Sequence, residues 1–448
     1  MVDKSPREHI MNGSTLIIGS GHVADEDGDQ DGNNTTDNAS AVFVDATDHS
    51  FILSLGGTVS GGEKAGVGAT VVANVSSRDT QAIVGDAEGT NTTTKLTMSA
   101  GGDFITHAGN SGFVGGLAVA GAKATSSKTP DADSGGSGSG GSGSGTGGTQ
   151  GSDGTAQSDK DLLDWQTNMS SVLGEMKTKN SGSSTGSSGA SSGSSQASGG
   201  AGKTKSGLAI SGSIAVNVIN NTAKAYINNT GDIILKKAAD LADSSLKPTG
   251  DLLVSAEDTT DLVTVTGSGA YAKSSGSGSD VGIAGALSFS FVFGSVEAFI
   301  DGTGATTKVW ADAVSVSATR DGVTTNVAAG FAGAPGAKGK AVAASIAVSY
   351  SEYDVKAYIK DVDLTSEKTI EVKVDDKTKL IQVAGSGALG GKAGVGAAIA
   401  FAQSDNTLSA GIDAATIKHG GDLTVEAKSS GSLLDFVGAA GVALKQGS

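Results

Sequence analysis

The chain has 448 residues, 47 acidic against 31 basic, a formal charge of −16, and 37% hydrophobic residues with only 4% aromatic. That acidity excludes phosphate-backbone partners such as nucleic acid. The absence of cysteine excludes disulfides and thiolate chemistry, and no run approaches the roughly 18 apolar residues of a transmembrane helix.

Residues 1 to 40 read as an acidic polar leader with one short strand candidate, Leu16-Ile17-Ile18, and no secretory signal. Within it, Asp25-Glu26-Asp27-Gly28-Asp29-Gln30-Asp31-Gly32 alternates carboxylates as the first half of an EF-hand-type loop does. Asp25, Asp27, Asp29, Asp31 and Asp37 are therefore candidate Ca2+ ligands. Asn38 stands where that loop needs a bidentate Glu, so a solvated acidic turn is the alternative.

From 41 to 122 strand patterns alternate with Gly-bearing turns: Val42–Val44, Phe51–Leu55, Val67–Val75, Gln81–Val84, Leu96–Ala100, Phe104–Ile105 and Phe113–Ala120. The region 123–206 is an insertion: its stretches 123–157 and 180–206 are Gly/Ser/Thr runs with the composition of flexible coil. Between them a helix is predicted over about 159–178, capped by Ser158, with Leu162, Trp165, Met169, Val172, Leu173 and Met176 on one face. That stripe either folds back onto the body of the protein or docks on a partner.

From 207 to 448 one unit recurs about every 50 to 75 residues. It is visible in VGIAGALSFSFVFGSVEAFI, AVAASIAVSYSEYDVKAYI and VGAAIAFAQSDNTLSAGI, with earlier copies ending in Ala225-Tyr226-Ile227 and Gln81-Ala82-Ile83-Val84. Each copy leads into a strand such as LLVSA, VSVSA, IEVKV or LTVEA. Repeats of short strands that cannot bury a core alone predict a stacked β-solenoid, with coils of about 20 to 25 residues. The larger apolar residues, Ile214, Val216, Ile227, Leu287, Phe289, Ile300, Ile346, Val348, Ile359, Ile399, Phe401 and Ile412, are expected to point inward. Tyr226, Phe299 and Tyr358 are expected to stack in register.

Candidate chemistry is sparse. The five histidines have no metal-ligand spacing, no Gly-x-Ser-x-Gly elbow comes with the rest of a triad, and no carboxylate cluster with a basic partner can be assembled. The chain reads as a non-enzyme, with a secreted glycan-active β-helix enzyme as the alternative from another class. Its last residues, Val442 to Ser448, fall where another repeat would begin. This reads as a segment of something longer whose strand edge invites end-to-end self-association.

The units GLAISGSIAVNVINNTAKAYI (207–227) and GGDLTVEAKS (420–429) resemble the repeats of large exported bacterial adhesins of the leukotoxin-like and filamentous-haemagglutinin-like kind. The resemblance covers 41–122 and 207–448. It implies an all-β, right-handed parallel β-helix at the bacterial cell surface or in the medium. It also implies structural or adhesive work on a glycan or protein of a host or neighbouring cell, a self-assembling filament or sheath subunit being the close alternative.

Overall fold

Among the described residues every strand pairs in parallel, and the chain visits three sheets in a fixed order six times. The computed structural model describes residues 2–4, 7–11, 15–18, 42–93, 95–126, 206–236, 243, 245–274, 278–302 and 307–444. The first circuit is β1 (Val2–Lys4), β2 (Arg7–Met11), β3 (Thr15–Ile18) and β4 (Val42–Gly62). The second is β5 (Ala65–Gly85), β6 (Thr97–Ala100) and β7 (Phe104–Ser126), and the third β8 (Leu208–Asn228), β9 (Ile233–Ile234) and β10 (Leu252–Ser274). The fourth is β11 (Val281–Asp301), β12 (Thr307–Ala311), β13 (Val314–Arg320) and β14 (Val323–Ala334). The fifth is β15 (Lys340–Lys360), β16 (Val362–Ser366), β17 (Ile370–Asp376) and β18 (Lys379–Gly390), and the sixth β19 (Ala393–Asp413), β20 (Thr416–His419), β21 (Leu423–Ser429) and β22 (Ser432–Ala443).

Sheet 1 holds β1, β2, β5, β8, β11, β15 and β19. Sheet 2 holds β3, β6, β9, β12, β16 and β20, and sheet 3 holds the rest. All described residues belong to one compact unit formed by 1–128 and 204–448. An all-β parallel architecture is thus what the repeats specify.

Two sequence expectations are corrected at this level. Partner residues lie much further apart than a 20 to 25 residue coil allows: Val281 pairs with Lys340, 59 positions on, and Lys340 with Ala393, 53 positions on. The cause is strand length, since β5, β8, β11, β15 and β19 run 21 residues each through the polar bends that the sequence suggested would end them. Among the described residues up to Ile18 there are also three strands where one was expected. β1 and β2 pair with the edge of β5 and β3 with β6, backbone pairing that needs no apolar alternation in the recruited strand.

The core divides along each strand. Where three sheets meet, in-register columns such as Val84, Ile227, Ile300 and Ile359 fill the interior with large aliphatic groups. Phe104, Leu252, Val314 and Ile370 face them from sheet 3. Where only sheets 1 and 3 face each other, the buried cluster is all alanine, including Ala209, Ala284, Ala332 and Ala343. Here the backbones nearly touch: a Cβ on Gly68 would lie 2.3 Å from the Gly121 carbonyl oxygen, and one on Gly396 2.4 Å from that of Ala440. Glycine at these sites is a condition of the sheet spacing.

The corner from sheet 1 to sheet 2 uses positive φ at Asn229, Asp361 and Ala414 (54°, 53° and 48°). Asn and Asp tolerate that region better than other non-glycine residues.

Candidate interaction surface

Along β8 the odd-numbered residues face inward throughout. The large aliphatic residues sit at even positions up to Val218 and at odd positions from Ile219 onward. Strand β15 does the same, with Ile346 and Val348 facing out and Tyr353, Val355 and Ile359 buried. The sequence expectation therefore holds for Ile227, Ile300 and Ile359, which are buried, and for Ile412, which packs against the same core. It fails for Ile214, Val216, Leu287, Phe289, Ile346, Val348, Ile399 and Phe401, which lie on the opposite face and are half-buried or exposed. The reason is geometric. With no third sheet to hold space open, two sheets close onto Ala, Gly and Ser, and the large side chains are turned outward.

The outer face of sheet 1 is consequently apolar over five rows. Ridges run across the strands in register: Val67, Ile210, Ile283, Val342 and Val395 form one, and Val71, Ile214, Leu287, Ile346 and Ile399 the next. Between them runs a row of small residues, Ala69, Gly212, Gly285, Ala344 and Ala397. Further along, Phe289, Phe291 and Phe293 stack along β11 at centroid distances of 6.4 and 6.5 Å. Exposure reaches 61% at Val67 and 56% at Ile399. The expected stack of Tyr226, Phe299 and Tyr358 is present at 4.7 Å per step, with the backbone N–H of Glu88 donating to the Tyr226 hydroxyl.

Where the two-sheet half opens into the three-sheet half, the interior is polar. One seam joins Ser54, Asn74, Asn217, Thr264 and Ser290 by consecutive hydrogen bonds of 2.5 to 2.8 Å. A second is charged. Register on sheet 3 aligns Asp48, Asn110, Asp258, Arg320 and Asp376, while sheet 1 contributes Arg78, Asn221, Gly294, Tyr353 and Asn406. Arg78 lies 3.5 Å from Asp48 and donates to Asn221, Thr260 and the Ser111 carbonyl. Asp258 accepts from Asn221, Thr260 and the Tyr353 hydroxyl, and the Arg320 guanidinium lies 3.7 Å from the Tyr353 ring centroid. Burial, reinforced by the Asp258 carboxylate, holds the Tyr353 phenol well above its ordinary pKa. Sequence reading missed this column, although its signal was present. Asp-x-Ser/Thr at 48–50, 258–260 and 376–378 alternates by circuit with x-x-Gly at 110–112 and 320–322, and each Asp accepts from its own Ser or Thr hydroxyl.

The candidate calcium ligands Asp25, Asp27, Asp29, Asp31 and Asp37, and the helix residues Leu162, Trp165, Met169, Val172, Leu173 and Met176, lie outside the described residues. Among the described residues no group of three or more His, Cys, Asp or Glu is placed to hold a metal ion, and no helix is long and apolar enough to cross a membrane. His9, His49, His107 and His419 bond to separate local partners. Comparison of the chain with protein-family models, curated proteins and solved structures finds no match in any of the three. The surface is therefore read from its own geometry.

Proposed function

We propose that this chain is a right-handed parallel β-solenoid acting as a structural or adhesive module outside a bacterial cell. Its outer rows would attach to a glycan or protein of a host or neighbouring cell. The observation that carries the reading is the in-register repetition of side-chain type across five rows of sheet 1. Rows about 4.8 Å apart offer a partner the same chemistry many times over. Weak single contacts then add when several are made at once.

The test uses cells that make the native protein. Antibody against the purified chain should label intact cells, and beads coated with the chain should attach to other cells. Label that appears only after permeabilisation, or attachment equal to that of uncoated beads, would refute the reading. A high-resolution experimental structure would check the handedness of the coil.

A further inference from the structure

The glycines of sheets 1 and 3 differ in what a Cβ would meet, some facing packed backbone or rings and some open space. Gly66, Gly68, Gly282 and Gly396 have facing backbone within 2.8 Å of where a Cβ would stand. On the outer face of sheet 3, Gly115, Gly333 and Gly387 lie beside the rings of Phe113, Tyr271 and Phe331. Gly212 and Gly285, adjacent in the groove row of sheet 1, have nothing within 4 Å of a Cβ, and the same holds for Gly411 on sheet 1 and for Gly269, Gly385 and Gly438 on sheet 3. Their φ angles are not among the positive ones. Mid-strand glycine is destabilising by roughly 0.5–1 kcal/mol and often marks close approach of another backbone.

We propose that the apolar outer face of sheet 1 is a self-recognition surface, on which a second copy of this chain docks by the same face. The inference uses the same face as the adhesive reading, so a second copy docked here would take the place of a glycan or protein partner on sheet 1.

Three features favour a second copy as the occupant. The first is size. Nine residues from Val67 to Val75 across five rows, at about 3.3 Å per residue and 4.8 Å per row, give a patch on the order of 700 Å2. That approaches the roughly 800 Å2 each partner contributes to a stable complex. The second is shape. The Gly285 row is a single groove between the Ile283 and Leu287 ridges, and an identical face turned over and shifted by one position sets its Leu287 ridge into that groove.

The third feature is charge. Lys338, Lys340 and Lys392 lie at the end where the strands begin, and Glu352, Asp354 and Asp405 beyond the far end of the patch, where Lys356 pairs with Asp354 at 3.1 Å. Turning the second copy about the direction of the stacked rows makes the strands of the two copies antiparallel and lays each basic end over an acidic end. This self-complementary arrangement is what a two-fold interface requires. A lipid surface fits less well, because the acidic end would meet anionic headgroups.

The test is sedimentation velocity on the full 448-residue chain over a concentration series, beside the double variant Gly212→Thr and Gly285→Thr. Both added side chains enter open space in the isolated chain, so far-UV CD and melting should be unchanged or improved, while the dimer should weaken at least about tenfold. Lys340→Glu should also weaken it, and Lys340→Glu combined with Glu352→Lys should restore it. Three results would overturn the proposal. These are a wild-type chain that stays monomeric throughout the series, a double variant that associates as well as wild type, and a wild-type monomer that instead floats with phosphatidylcholine/phosphatidylglycerol vesicles. Folded but non-associating double variants, with rescue by the charge swap, would establish it.

Discussion

Asp258 is the residue on which the buried charge column turns. Its carboxylate takes hydrogen bonds from Asn221 at 3.0 Å and Thr260 at 2.6 Å and from the Tyr353 hydroxyl, while Arg78 and Arg320 lie in the neighbouring layers. The Tyr353 ring passes beneath Gly294, where a Cβ would lie 2.8 Å from its Cζ and 1.9 Å from the Asn221 carbonyl oxygen. Removing one partner from a buried charged group leaves the others desolvated and uncompensated, which costs about 3–5 kcal/mol. Asp258→Ala should therefore lower stability by that amount in equilibrium urea unfolding, whereas Thr260→Ser, which keeps the hydroxyl, should change it by less than about 1 kcal/mol. A loss below about 1 kcal/mol for Asp258→Ala would mean that the column is not held through this carboxylate.

At the scale of the strand, what matters is which face the apolar residues take and where that choice reverses. Gly68 on β5 faces the Gly121 carbonyl, so Gly68→Ala should force the two sheets apart and cost about 1–3 kcal/mol by overpacking. This should occur even though alanine fills the neighbouring interior. A urea midpoint equal to wild type would show that the sheets have slack there. Parallel β structure, the recurring unit and the stacked aromatics at Tyr226, Phe299 and Tyr358 were legible in the sequence, because each depends on local alternation and on repetition. Inward and outward were not legible in the two-sheet half. Neither face of β8 is strongly polar there, Ile and Val with Gly212 on one and Ala and Ser on the other, and the rule that larger residues go inside presumes room for them. The deciding signal was the phase change at Val218 and Ile219, where large aliphatic residues move from even to odd positions. Strand ends were misplaced for the same reason, since the Asn220-Asn221 bend reads as a loop yet lies inside β8, its amide paired with the buried Asp258 of sheet 3.

For the whole molecule, the buried phenols set an upper pH limit. Burial first, and neighbouring carboxylates second, raise Tyr353 and Tyr358 well above the usual phenol value; burial likewise raises Tyr226. Lys224 is raised as well: burial opposes its charge, but Glu88 at 2.8 Å and Glu297 at 3.1 Å outweigh that. All four groups hold their protons more tightly in the folded chain than in the unfolded one. Their stabilising contributions are therefore complete below the unfolded values near pH 10 and are lost as pH rises through the folded values. Stability should be level from neutral pH to about 9.5 and fall progressively beyond 10. Tyr353→Phe separates the titration from the hydrogen bond. The variant loses its bond to Asp258 at every pH, so its curve starts lower, but it carries one phenol fewer to ionise on unfolding and should fall less steeply above pH 10. Urea unfolding at half-unit steps from pH 8 to 11 reads the slope directly as protons released. A slope unchanged by Tyr353→Phe would place the alkaline sensitivity elsewhere, in the exposed lysines or in the partly buried stack at Tyr358.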